Sequence, residues 1–390
     1  MRESRGAAVI LVTLTAFTDI LAYSIAVPVL PDLGRRLGAS PTVIGFLFAA
    51  FGASVAVTSI PMGAVSDRIG RRGPLLAGAL LLTASTLLFA VSTTLPLLFA
   101  ARLAQGVADA ITWVVGFALV ADLYGQEERG RVMGFVMSGT TVGFLIGPSA
   151  GGWLYEAVGP QVPYLVVALL AALCTAGFAI MPEPPRQAMR EPLALRALLR
   201  IPDVVVCAST VIVGGGTLAM IEPTLALFLD RELGLGPSRI GLVLGGAAAM
   251  SAVLHPVFGR LAGRAGARQL MLAGLAGIAL MLPVLALMRD FTSGLLVYAA
   301  FTVPIVAMVT PSLAYMAEAT ARAGVRSFGV AYGVYNVAWS IGLLVGPSIG
   351  GAAFERVGFR VLTIAWAAAL LPATLVLARI RTPPAREPGV

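Results

Sequence analysis

Twelve stretches of this chain are apolar over the roughly 20 residues that carry an α-helix across the hydrocarbon core of a bilayer. They fall at about 7–30, 42–65, 74–93, 97–122, 132–154, 162–181, 203–228, 239–259, 269–288, 293–317, 328–350 and 359–378. In lipid such a run has to close its own backbone hydrogen bonds, which a helix does within one segment. With 58% hydrophobic and 12% charged residues, the 390-residue chain has too few polar side chains to cover a water-soluble surface. The expectation is an all-α integral membrane protein of twelve transmembrane helices with almost no soluble domain, and not an enzyme. The first run carries Asp19 in its middle and leads straight into further spans, so it reads as a retained helix and not as a cleaved leader.

All 27 basic residues are arginines, and the net charge is +8. If the N-terminus is cytoplasmic, nineteen of the 27 lie on inner segments, among them Arg68, Arg71, Arg72, Arg129, Arg260, Arg264, Arg268, Arg322 and Arg326. The positive-inside rule therefore predicts a multi-pass protein of the cell inner membrane with both termini in the cytoplasm. Spread over short loops, these arginines build no single basic face, and nucleic acid is not an expected partner.

The chain is internally duplicated. Gly143-x-x-x-Gly147-Pro148-x-x-Gly151-Gly152 returns as Gly342-x-x-x-Gly346-Pro347-x-x-Gly350-Gly351, an offset of 199, and Leu37-Gly38 with Pro41 and Ile44-Gly45 returns at an offset of 196 as Leu233-Gly234 with Pro237 and Ile240-Gly241. Two pseudo-symmetric halves of six helices are predicted, 1–181 and 202–390. The Pro- and Arg-rich stretch 182–201 between them reads as a cytoplasmic linker. The glycines suit close helix packing and the prolines loosen the helix locally, so Gly143, Gly147, Pro148, Gly346 and Pro347 are expected to act mechanically.

Three motifs carry a resemblance to the major facilitator superfamily over essentially the whole chain. The loop Gly63-Ala-Val-Ser-Asp67-Arg68-Ile-Gly70-Arg71-Arg72 resembles its cytoplasmic signature, Arg102-x-x-Gln105-Gly106 its second motif, and Gly143 to Gly152 the signature of twelve-span drug:proton antiporters. The resemblance implies two halves that rock about a central site, driven by the proton gradient with no cofactor. Within the superfamily, the first span and the paired glycine strings are most similar to the vesicular amine carriers and their bacterial relatives. Those carriers have further acids in spans ten and eleven and a lysine in span two, whereas here span ten has no acid before Glu318, span eleven has Asn336 and lysine is absent.

A charged group near the bilayer centre costs at least about 2.5 to 3.5 kcal/mol, so ionisable residues inside the spans are the candidates for chemistry. Asp19 lies midway along span one in Asp19-Ile-Leu-Ala-Tyr23-Ser24-x-x-x-Pro28-x-x-Pro31, which resembles the first-helix motif of drug and amine antiporters. There the acid belongs to the proton and cation site. Glu222 precedes Pro223 in the outer half of span seven, where it serves either coupling or only a water-filled break. Arg102 and Asp109 are two turns apart on one face of span four and are expected to meet each other or a partner across the bundle. Tyr23, Trp113, Asn336 and Trp339 complete the substrate-binding candidates, since aromatic faces suit a cation.

Asp67, Arg68 and Arg71 at an inner helix end are candidate gating residues, with topology marking as the simpler reading of the arginines. Asp122 and Glu318, at matching places 196 residues apart, are expected to form gate ion pairs with Arg129 and Arg326 in the inner loops that follow. His255 is assigned to interfacial packing, and Cys174 and Cys207, in different spans, to packing with neither a disulfide nor a metal.

These parts predict exchange of a proton for a substrate at Asp19, because burial favours the protonated carboxyl while an arriving cation favours the ionised one. The cargo is expected to be a small, lipophilic, cationic compound of multidrug or amine type, carried outward by a monomer embedded in lipid. The competing reading is a uniporter or proton symporter of a neutral or anionic solute such as a sugar, which a cavity dominated by Arg102 would favour.

Overall fold

The computed structural model describes residues 2–183, 198, 200–322 and 328–380, which are helical almost throughout. The first half runs α1 Arg2–Ser24, α2 Ala26–Leu37, α3 Pro41–Ile69, α4 Arg72–Val91, α5 Leu95–Leu123, α6 Gln126–Ala157 and α7 Val162–Ile180. The second half runs α8 Pro202–Arg231, α9 Pro237–Ala265, α10 Ala267–Leu285, α11 Phe291–Arg322 and α12 Phe328–Arg379. Eleven of these segments are long and apolar enough to cross a membrane. The last of them holds two spans, because Gly358 inside α12 has φ +73°, a left-handed conformation that breaks the helix there. Twelve transmembrane helices in two groups of six result. Large apolar side chains such as Val57, Leu169, Ile180 and Leu375 stand exposed on the outside, where lipid replaces water.

The first span continues past its prolines to Leu37 instead of ending near residue 30. A new helix begins at Ala26, which puts Pro28 in a first turn whose N–H groups have no intrahelical acceptor, so the missing donor costs nothing. Helix α3 starts just as locally, with Pro41 at its first position and the Ser40 hydroxyl accepting the Val43 N–H at 3.4 Å.

The glycine strings position the helices. In the first copy Gly143, Gly147 and Gly151 lie against Phe17, Ile20, Ser24 and Ile25 of the first span, so that a Cβ added at Gly151 would come within 2.8 Å of the Ile25 side chain. In the second copy Gly342 and Gly346 lie against Gly216 of α8, and Gly350 against Met220. The last glycine of each string faces the opposite half, Gly152 against Pro237 and Gly351 against Pro41 and Gly45. Two seams related by the pseudo-symmetry follow, α6 against α9 and α3 against α12. In one the Pro148 carbonyl touches Gly241, and in the other the Pro347 carbonyl touches Gly45, each where a side chain would collide.

Side-chain bonds lock the same end of the molecule, the one remote from the first helix's start. Arg35 pairs with Asp230, Ser238 bonds Glu156, and Glu355 accepts from the Ser40 hydroxyl at 2.7 Å and the Thr42 N–H at 3.0 Å. At the other end the described ion pairs stay within one half.

Candidate functional site

Asp19 is 3% exposed and faces α5. Packing of α6 against Phe17, Ile20 and Ser24 fixes the rotation of α1, and Asp19 comes to lie beneath the indole of Trp113, whose Nε1 donates to its Oδ2 at 3.0 Å. The Asp109 carboxyl and the Thr112 hydroxyl lie close to Asp19, and the Thr112 hydroxyl donates to the Asp109 carbonyl at 3.1 Å. Asp109, Thr112 and Trp113 occupy adjacent turns of α5, so one helix face supplies every described partner of this acid. A carboxylate can only accept, and a hydrogen bond between two carboxyl groups therefore requires a proton on one of them.

A second acid meets the first half from across the bundle. Tyr23, one turn beyond Asp19, donates its hydroxyl to Glu222 Oε2 at 3.0 Å, and Tyr298 of α11 lies within electrostatic reach of the same carboxylate. Tyr23 also packs against Phe48 and Phe51, with ring centroids 5.9 and 5.4 Å apart. Residues 19 and 23 are about 6 Å apart along the helix. The acidic groups of the two halves thus share one short segment of α1.

Arg102 and Asp109 do not meet. The Asp109 side chain turns to Asp19, while Arg102, with no exposed surface, bonds Gln105 Oε1 at 3.2 Å and lies 5.0 to 5.9 Å from the rings of Phe89, Phe48 and Tyr23. Seven residues bring the two onto one side of α5, but two turns also part them by about 10 Å, and each finds nearer partners. Trp339 is not beside Trp113. Its indole lies against Gly215 of α8 and stacks on Tyr335, and Asn336 is half-buried one turn earlier on α12.

Among the described residues the gating candidates form two ion-pair clusters. Asp122 binds Arg71 at 2.8 Å, and Arg71 also holds Asp67 at 2.7 Å and the Ser66 hydroxyl. Glu318 reaches Arg322 at 3.7 Å, and Arg322 binds Asp203 at 2.8 Å, whose carboxylate also accepts from Tyr315 at 2.6 Å. Arg71 and Arg322 each lie one turn from an acid on their own stretch of chain, the spacing at which helical side chains meet. The Arg129 side chain, Arg326 and most of the 182–201 linker lie outside the described residues. Arg68 is exposed.

Asp203 and Arg322 escaped sequence reading, because they lie 119 residues apart and neither stands inside a motif. The one signal was Asp203 in the first turn of a span. His255 contacts the Thr310 hydroxyl at 2.7 Å, tying α9 to α11, and both cysteines are free and buried. Among the described residues no group of three or more His, Cys, Asp or Glu forms a metal site.

Comparison with known proteins extends this geometry. The family model described as Major Facilitator Superfamily matches residues 12–221 and 207–390. The chain is 28% identical to the chromaffin granule amine transporter of Homo sapiens over 351 residues, covering 89% of this chain and 66% of that one, just under two thirds of its length. It is 30% identical to the synaptic vesicular amine transporter of Bos taurus over 352 residues, 88% of this chain and 67% of the relative, and 26% identical to the vesicular acetylcholine transporter of Drosophila melanogaster over 430 residues, 97% and 72%. Among solved structures, a bacterial homolog of the human lysosomal transporter Spinster, inward-facing and occupied, superposes with a TM-score of 0.82 at 15% identity over 99% of both chains. The nucleoside transporter NupG gives 0.77 at 13% over 96% of this chain and 100% of its own.

Proposed function

Because the chain belongs to the Major Facilitator Superfamily, we propose that it is a proton-coupled antiporter that exports small, lipophilic, cationic compounds of amine or multidrug type by alternating access. The observation that carries the reading is the juxtaposition of the Asp19 and Asp109 carboxyls on neighbouring helices, with the Trp113 indole N–H donating to Asp19. With one proton the pair holds a single negative charge. A cation seated against the indole face and the carboxylates stabilises the doubly ionised pair and expels that proton. Proton and cargo compete for one site, which is what exchange requires.

The rest of the machinery follows from the bundle. The halves, 1–181 and 202–390, rock about the centre, the two glycine seams close the outer end, and Arg71 and Arg322 clamp the inner helix ends of each half. Residues Asp67, Asp122 and Glu318 hold those clamps. Both termini face the cytoplasm of the cell inner membrane, so the described arrangement, joined at the far end, receives cargo from inside. Tyr23 and Glu222 form the cross-half bond that breaks when that end opens. Trp339 and Asn336 line the second half's side of the passage. One pH unit supplies about 1.4 kcal/mol per proton, and each net charge moved adds about 2.3 kcal/mol per 100 mV. One copy suffices, since the two halves already supply the moving pair. The vesicular amine relatives support a cationic cargo, although the departures in spans ten and eleven favour a site centred on α1 and α5.

Everted membrane vesicles test this directly. Imposing an acid interior drives uptake of tetraphenylphosphonium in the wild type, and Asp19→Asn lowers it at least about 100-fold; unchanged uptake in the variant overturns the assignment.

A further inference from the structure

Among the described residues six buried side-chain N and O atoms lack a hydrogen-bond partner; Nε and Nη2 of Arg102, Gln105 Nε2 and the Tyr164 hydroxyl belong to one neighbourhood, and a fifth, the Thr86 hydroxyl, lies one turn from Phe89, whose ring faces the guanidinium. The residues come from α4, α5 and α7, and each is at most 3% exposed. Gln105 is tied to Arg102 through its carbonyl, so its amide nitrogen is left to donate. The Tyr164 ring packs against Phe89 at a 40° tilt with centroids 4.7 Å apart and lies within electrostatic reach of the guanidinium. Every one of the five can donate, and no acidic side chain forms an ion pair with Arg102 among the described residues.

An uncompensated charge and several unmade hydrogen bonds at one buried point are together far more costly than a folded membrane protein tolerates. We propose that this cluster is a binding site for a small monovalent anion, chloride or a larger halide, held by the Arg102 guanidinium with Gln105, Thr86 and Tyr164 as neutral donors. One guanidinium balances one negative charge, which disfavours sulfate and phosphate. The surrounding rings of Phe48 and Phe89 offer no hydration, so weakly hydrated anions enter more cheaply, in the order bromide over chloride over fluoride. Phe89 and Tyr164 also line a cleft at the bundle's far end, with Arg36 and Tyr155 at its wall, which is the side from which an anion would enter. The bound anion cancels a positive charge beside Tyr23, where an exposed one would repel cationic cargo near Glu222. That consequence rests on the proposed antiport, but the binding itself does not.

The test uses the purified full chain in detergent at constant ionic strength. Replacing sodium gluconate by sodium bromide raises the melting temperature by about 3 °C or more, with chloride weaker. The variant carrying Thr86→Val and Tyr164→Phe keeps Arg102 and loses at least half of that shift. Crystals grown in bromide give an anomalous peak within hydrogen-bonding reach of Arg102 and Gln105, which stands even if the variant fails to fold. Equal melting in bromide and gluconate, an undiminished shift in the variant, or bromide found only elsewhere overturns the site.

Discussion

At position 19 the first half holds a carboxyl beneath the indole of Trp113; at the corresponding position of the second half, Gly215 lies against the indole of Trp339. Both halves keep an indole near that point of their first helix. Only one keeps the acid. The seams behave oppositely, for Gly45 against Pro347 and Gly241 against Pro148 are the same contact made twice. Duplication has thus preserved the seam contacts in both halves and left the acid at this position in one. A seam must close symmetrically for the halves to rock, whereas one shared proton needs one home.

The comparison can be broken by moving the acid. In an Asp19→Asn background, Gly215→Asp is expected to leave pH-driven uptake at least about 100-fold down, because a Cβ at residue 215 would lie 3.0 Å from the Trp339 ring and no second carboxyl is described there to share a proton. Recovery of uptake in vesicles would show that the two positions are interchangeable. The symmetry of the seams is tested by Gly45→Leu and Gly241→Leu. Overpacking of this kind costs about 1 to 3 kcal/mol, which moves the equilibrium roughly 5- to 150-fold away from the arrangement closed at the far end. Each should lengthen the distance between spin labels on Ala39 and Arg356, and to a similar extent; a response from one alone would end the equivalence.

Smaller effects sharpen the picture. Tyr23→Phe removes a hydrogen bond to a charged group, worth about 1.5 to 3 kcal/mol, and is expected to weaken coupling about tenfold while Asp19 and Trp113 keep their bond, as read from proton flux per cation transported. The least is expected from Asp67→Asn. Its pair with Arg71 is half-exposed and worth about 0.2 to 1 kcal/mol, so turnover falls two- to threefold while the dissociation constant of tetraphenylphosphonium stays put. A loss confined to affinity would remove Asp67 from the gate.

The membrane class, the twelve spans and the duplicated halves were legible because each rests on local pattern: run length, glycine spacing and repeated offsets. Asp19 was legible for the same reason, as an acid in an apolar run. Its partnership with Asp109 was not, because the rotation of α1 is set by α6 packing, which no spacing within α1 or α5 records. Periodicity puts Arg102 and Asp109 on one face of α5 and leaves open whether they meet each other or a partner across the bundle; Asp109 takes the second course beside Asp19, and Arg102 bonds Gln105. The Tyr23 bond to Glu222 joins residues 199 apart and exists only because the halves are assembled. At the inner end the tertiary contacts of Asp122 with Arg71 and of Asp203 with Arg322 were not legible, since each joins helices far apart in the chain.

The central claim is that one proton and one cation exclude each other at Asp19 and Asp109. Adding tetraphenylphosphonium to the purified carrier in weakly buffered detergent and following a pH indicator measures this without transport. The account predicts release of about one proton per cation bound in the wild type, and binding without release, if any remains, in Asp19→Asn. Stoichiometric binding to the wild type with no proton released, or the same release from the variant, would contradict it.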